Sequence, residues 1–241
     1  MAVHWRDNQS GCKGVCDGLP GDQASAATAP GLCEGDRCLD EALFADLDAR
    51  LQRLAGSGGG TQLWVLHMLG NHGPAYFRRH PAAFTAYTPE CRDEDLSRCT
   101  PESIVNAYDN ALRYTDDMLA RAIERLSAHA GKVDSALLYV SDHGESLGEH
   151  GLYLHGLPYA IAPDVQKQVP MLFWASPGFE RGAGLGPGCV DGPLRRRARE
   201  GGVAHDHVFH TVLGLLDVRT ALHEPALDLV AACRAGARAA N

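Results

Sequence analysis

Ser135-Ala136-Leu137-Leu138-Tyr139-Val140-Ser141-Asp142-His143-Gly144-Glu145 is the stretch on which the reading of this chain turns. Residues 135–141 are short, apolar and uninterrupted, as in a strand buried within a parallel sheet, and a polar cluster follows at the carboxyl end. Where the backbone leaves sheet geometry side chains no longer have to alternate, so Asp142 and His143 can both turn toward one cation. A carboxylate oxygen beside an imidazole nitrogen suits zinc. Upstream, Thr100-Pro101-Glu102 opens a helix with a capping hydroxyl, a proline in the first turn and an acid near the positive end of the dipole. Its apolar stripe runs from Ile104 to Leu126, and Gly131 stops it.

Further out, residues 61–69 form a second buried-type strand that runs into the sharp loop Gly70-Asn71-His72-Gly73-Pro74. An amphipathic helix precedes it, with Leu43, Phe44, Leu47, Leu51 and Leu54 at helical spacing and a glycine run after it. Residues 169–175 are a third strand. Residues 176–202, rich in glycine and proline, read as a long flexible loop, and the arginines from Arg195 to Arg199 are either solvated or touch anionic lipid headgroups. Residues 205–218 are a last helix, opened by His205-Asp206-His207, and the tail after Arg234 is expected to fray.

Helix, strand, helix, strand, loop, strand predicts an α/β fold with a mostly parallel central sheet flanked by helices. Such sheets bind ligands beyond the carboxyl ends of their strands, so the His72 loop and the Asp142–His143 pair are expected to converge on one edge. His155, in Gly151-Leu152-Tyr153-Leu154-His155-Gly156, joins them. Histidine in glycine-flanked loops is seldom core filling, and the plain alternative for each is a hydrogen-bonded loop histidine.

The chain has 241 residues, and its 45% hydrophobic and 22% charged residues are those of a globular domain. One domain is expected, with residues 1–38 an irregular stapled segment of it and residues 39–241 its α/β body. Thirty acids against 22 Lys and Arg leave a charge of −8, which argues against a nucleic-acid binder relying on a basic field. No stretch approaches the ~18 apolar residues of a membrane span, and the first residues lack the apolar core of a secretory signal. The cysteines nevertheless point to an oxidising compartment. Cys12 and Cys16, Cys33 and Cys38, and Cys91 and Cys99 lie in close pairs that suggest small disulfide loops, with Cys189 and Cys233 left over. A four-thiolate zinc site from the first four cysteines is the rival reading.

Several motifs taken together resemble a known family: Trp5-Arg6-Asp7-Asn8-Gln9-Ser10-Gly11-Cys12, Asn71-His72-Gly73-Pro74, Asn106-Ala107-Tyr108-Asp109-Asn110, Ser141-Asp142-His143-Gly144-Glu145 and Leu152-Tyr153-Leu154-His155-Gly156. From Trp5 to about Cys233 the chain resembles the periplasmic catalytic domain of lipid A phosphoethanolamine transferases, the polymyxin-resistance enzymes of the alkaline phosphatase and sulfatase superfamily. The resemblance implies zinc-dependent transfer of phosphoethanolamine from phosphatidylethanolamine to lipid A, through a phosphorylated threonine, at the periplasmic face of the bacterial inner membrane. One zinc ion, or two, is implied. Asp142 and His143 match ligands of the catalytic zinc, His72 and His155 match histidines that hold the substrate phosphate, assist the leaving group or take a second zinc, and Asn106 falls among the substrate-binding positions. The family's glutamate ligand, its nucleophilic threonine and its membrane spans are expected before Trp5, in a membrane-anchored upstream portion, together with the first strand and helix of the domain. Neither Thr28 nor Ser10 has the matching context, so no nucleophile is assigned in this chain, and the isolated chain is expected to be inactive. The alternatives are an inactive fragment, a split half needing an upstream partner, or a soluble phosphodiesterase or sulfatase-like hydrolase.

Overall fold

The computed structural model describes residues 1–58, 60–186 and 188–238. It divides into two compact units, Met1–Arg125 with His143–Gln168 and Leu126–Asp142 with Val169–Asn241.

The sheet of the first unit is parallel and three-stranded, with Ala2–Asp7 in the middle between Gly21–Gln23 and Gln62–His67. This corrects the expectation of an irregular segment over residues 1–38. A six-residue strand ending in Arg6 and Asp7 shows no clean alternation, and its charges find partners only in three dimensions. The Arg6 guanidinium donates to the Asp22 carboxylate at 2.5 and 2.9 Å and to Asp46 at 2.6 Å, which removes the cost of burying it. The rest of the segment is turn-rich and stapled as expected, by Cys12–Cys16 and by Cys33–Cys38, which closes a two-residue antiparallel ladder. All four thiols are therefore spent, and the four-thiolate zinc reading is excluded. Cys91–Cys99 and Cys189–Cys233 complete the set.

The expected first helix is a 3-10 turn, Asp40–Phe44, followed by the helix Leu47–Gly56. Buried Asp40 accepts from Asn8 Nδ2 at 2.7 Å, from Leu69 N at 2.9 Å and from Gly70 N at 2.6 Å, tying the start of that turn to the loop that leads to His72. Burial pushes this carboxyl up, against the pull of the three N–H donors. The long helix, Pro101–Ala128, begins as expected, with Ser103 N donating to Thr100 Oγ1 at 3.2 Å. Ile104, Ala107, Ala111, Tyr114 and Met118 are buried along its inner stripe. Tyr76, Cys91, Ile104 and Ala107 form a small core, so the Cys91–Cys99 staple sits where the helix starts.

In the second unit Ala136–Val140 pairs with Met171–Ala175. The pairing is antiparallel, and the segment between the strands, which holds a small hairpin, a 3-10 turn and the one-turn helix Asp164–Lys167, has no long crossover helix of the kind that usually joins parallel strands. Residues 176–202 are not the flexible loop expected. Ser176 Oγ caps the short helix Pro177–Gly182, accepting from Phe179 N at 3.2 Å, and helical turns follow at Val190–Leu194 and Arg195–Glu200. Cys189–Cys233 pins them in a small core with Leu185 and Val230. Arg195 to Arg199 lie exposed on the last of these turns. Asp206–Leu215 forms the closing helix, and Ala231–Arg238 continues beyond it. The end of the tail expected to fray, residues 239–241, lies outside the described residues. Among the described residues no helix is long and apolar enough to cross a membrane.

Candidate functional site

His72 stands in the loop after the strand Gln62–His67. Asp40 holds the start of that loop, Thr115 Oγ1 on the long helix donates to Asn71 Oδ1 at 2.8 Å, and Arg79 Nε donates to the His72 carbonyl at 2.9 Å. The His72 ring Nδ1 lies 2.6 Å from the Gly73 carbonyl oxygen.

His143 follows the strand Ala136–Val140 by three residues, with its Nδ1 2.9 Å from the Gly144 carbonyl oxygen. Gly144 N donates to the Gln166 carbonyl at 3.0 Å. A Cβ on Gly144 would collide with the Val165 carbonyl, so only glycine lets the backbones approach this closely.

A small hairpin then brings His155 back. Ser146–Leu147 pairs antiparallel with Tyr153–Leu154, Ser146 opposite Leu154, which puts Glu145 and His155 at the next position of the two strands. Gln166 Nε2 braces the ladder, donating to Ser146 Oγ at 2.8 Å and to the Leu154 carbonyl at 3.1 Å. The His155 ring stacks on that of His143 with centroids 3.7 Å apart, and the His72 ring lies 5.0 Å from His155 and 6.4 Å from His143. Three histidines that are up to 83 positions apart in sequence thus share one cluster.

Glu145, quoted above without a role, is the residue that sequence reading missed. Its carboxylate is buried, one oxygen accepting from Tyr76 Oη at 2.7 Å and the other against His155 Nδ1. Burial, then the bond to Glu145, pushes the Tyr76 phenol up, so it stays a neutral donor. Tyr76 meets Tyr108 edge to face at 5.5 Å. The one signal in the sequence was a carboxylate two positions past His143, and its partner depended on a hairpin register that sequence alone does not set.

Asp142, next to His143 in the chain, is exposed and belongs to the second unit. Asn106 donates its side-chain amide to the Pro89 carbonyl at 2.8 Å. In the second unit His205 Nε2 faces the Ser141 carbonyl oxygen at 2.7 Å and His207 Nδ1 lies by Ala204, so both serve loop structure.

His143, Glu145 and His155 offer ligand atoms that all lie within 4.8 Å of one another. Imidazoles beside a carboxylate, partly shielded from water, suit a divalent cation, the carboxylate serving either as a ligand or as the hydrogen-bond partner of a ligating imidazole.

The Sulfatase family profile matches residues 1–218. Phosphoethanolamine transferase EptA of Escherichia coli K12 is 44% identical over 232 residues, 96% of this chain and 41% of that protein. The chain thus spans about two fifths of that relative's length. The soluble domain of lipooligosaccharide phosphoethanolamine transferase A from Neisseria meningitidis superposes with a TM-score of 0.87 at 38% identity, covering 97% of this chain and 68% of that one. The C-terminal periplasmic domain of phosphoethanolamine transferase EptC from Campylobacter jejuni does so at 0.76 and 38%, covering 95% and 67%. This chain therefore belongs to the Sulfatase family, and the relatives it matches along nearly its whole length are phosphoethanolamine transferases.

Proposed function

We propose that this chain forms the zinc- and phosphate-handling part of a transferase that moves phosphoethanolamine from phosphatidylethanolamine to lipid A at the periplasmic face of the inner membrane. The observation that carries this reading is the cluster of His72, His143, His155 and Glu145 at strand-end loops, in a chain 44% identical to a phosphoethanolamine transferase over 96% of its length. Four disulfides suit the periplasm, where such bonds persist.

His143, with Asp142 beside it in the chain, is the proposed zinc-binding pair. Zinc bound there supplies Lewis-acid stabilisation of the charge on a phosphoryl group in transit. His72 and His155 contact the transferred group, directly or through a second zinc. Asn106, whose side-chain amide is bonded to the Pro89 carbonyl, is the further residue proposed to bind substrate. The nucleophilic threonine and the membrane anchor belong, in this reading, to the part of the transferase that this chain does not span.

The test is a chimera in which this chain, Cys233 included, replaces the matching region of Escherichia coli EptA. Mass spectrometry of extracted lipid A is expected to show added phosphoethanolamine, lost on His155→Ala or on chelation and restored by zinc. A chimera that reaches the membrane in normal amount yet leaves lipid A unmodified would rule the reading out, as would one indifferent to His155→Ala.

A further inference from the structure

Each of the three clustered imidazoles has its Nδ1 against an acceptor: the Gly73 carbonyl for His72 at 2.6 Å, the Gly144 carbonyl for His143 at 2.9 Å, and the Glu145 carboxylate for His155. A peptide carbonyl has no proton to give. A neutral His72 or His143 in these positions therefore carries its hydrogen on Nδ1 and a lone pair on Nε2.

Glu145 differs from a carbonyl because a carboxylic acid can also donate. Tyr76 decides the direction. It is 1% exposed, and its hydroxyl donates to one Glu145 oxygen at 2.7 Å. A carboxylate already holding one donor is best satisfied by a second donor on its other oxygen. The nearest group to that oxygen is His155 Nδ1, well inside hydrogen-bond distance, while His143 Nδ1 lies 4.0 Å away with the Gly144 carbonyl closer to it.

We infer that Glu145, braced by Tyr76, is a positioning residue that holds His155 in the Nδ1–H form, the same form that the carbonyl contacts give a neutral His72 or His143. This is the arrangement in which outer carboxylates and carbonyls fix the tautomer of metal-binding histidines. The hairpin register that sets Glu145 opposite His155 is what makes it possible. Its chemical consequence is directional: neutral imidazoles in this state accept a cation without losing a proton, and they have no N–H on Nε2 to give to a phosphate oxygen. Phosphate contact through these nitrogens then follows a cation. The inference deepens the proposed function, and it concerns a state that exists without metal or substrate, so it can fail while the transferase reading stands.

Nitrogen-15 spectra of histidine-labelled, chelator-treated protein at about pH 8, where imidazole is neutral, read the tautomers directly. Substituting His72, His143 and His155 one at a time assigns the signals. The expected result is Nδ1–H for all three, with Glu145→Ala moving His155 alone to the Nε2–H form that dominates free imidazole in water. Tyr76→Phe, which keeps the ring and its packing, is expected to leave the fold intact and to speed exchange of the His155 Nδ1 proton about tenfold, a change in protection of roughly 1.4 kcal/mol. His155 in the Nε2–H form in the unsubstituted protein, or still Nδ1–H in Glu145→Ala, would overturn the inference. Should Glu145→Ala not fold, unchanged exchange at His155 in Tyr76→Phe would overturn it as well.

Discussion

Single atoms decide what the cluster can do. With the ring hydrogens on Nδ1, as inferred, inorganic phosphate is expected to bind the metal-free protein at least about tenfold more weakly than the zinc-loaded protein, a difference of roughly 1.4 kcal/mol that titration calorimetry resolves. Equal affinity with and without zinc would mean that the histidines donate to phosphate themselves. Gly144 is the position with least tolerance. Gly144→Ala drives a methyl into the Val165 carbonyl, so about 1–3 kcal/mol of stability and most of the zinc affinity are expected to go together. Thermal melts with and without zinc check this, and an alanine variant that melts and binds as before would show that the backbone yields there. The histidines themselves were legible because glycine-flanked loop histidines announce polar work. Glu145 and Tyr76 were not, since their significance lies in two hydrogen bonds that join residues 69 and 10 positions apart.

The strands Gln62–His67, Ala136–Val140 and Met171–Ala175 and the helix Pro101–Ala128 were readable from unbroken apolar runs and from 3.6-residue spacing. What escaped reading is just as specific. Ala2–Asp7 ends in charges whose partners come 16 and 40 positions later, and residues 176–202 look formless until a cystine 44 positions long fastens them. That cystine closes the longest loop of the four, so loop-closure entropy gives it the largest share, roughly 4 kcal/mol against roughly 2.5 for Cys91–Cys99. Cys189→Ser with Cys233→Ser is expected to make residues 176–202 open first, seen as faster amide exchange over Pro177–Gly182 while the strand Gln62–His67 keeps its protection. Uniform loss of protection across both would show that the staple supports more than its own unit.

Across the whole chain the balance of charge is acidic, and the protein's response to acid follows from how those acids are paired. The hydrogen bond from Arg6 holds Asp22 below the usual carboxylate range. At Asp46 burial pushes the other way, but the bonds from Arg6 and Arg50 outweigh it and that carboxyl is held low too. Both are therefore depressed in the folded state, so their contribution is complete above the ordinary carboxylate range near 4 and disappears as pH falls through their lower folded values. Melting temperature is expected to fall steeply below about pH 4 and to fall less steeply in Arg6→Met, which starts from a lower value. Parallel curves for the two proteins would place the acid sensitivity elsewhere. The same strand carries one more consequence, in the order of synthesis. Ala2–Asp7 leaves the ribosome roughly sixty residues ahead of Gln62–His67, the chain that hydrogen-bonds along its whole length. At roughly 5–20 residues per second the middle of the sheet waits about 3–12 seconds without its longer neighbour. Two of the four disulfides, Cys12–Cys16 and Cys33–Cys38, lie wholly within that interval, so on a newborn chain reaching an oxidising space they can close before there is a sheet to join.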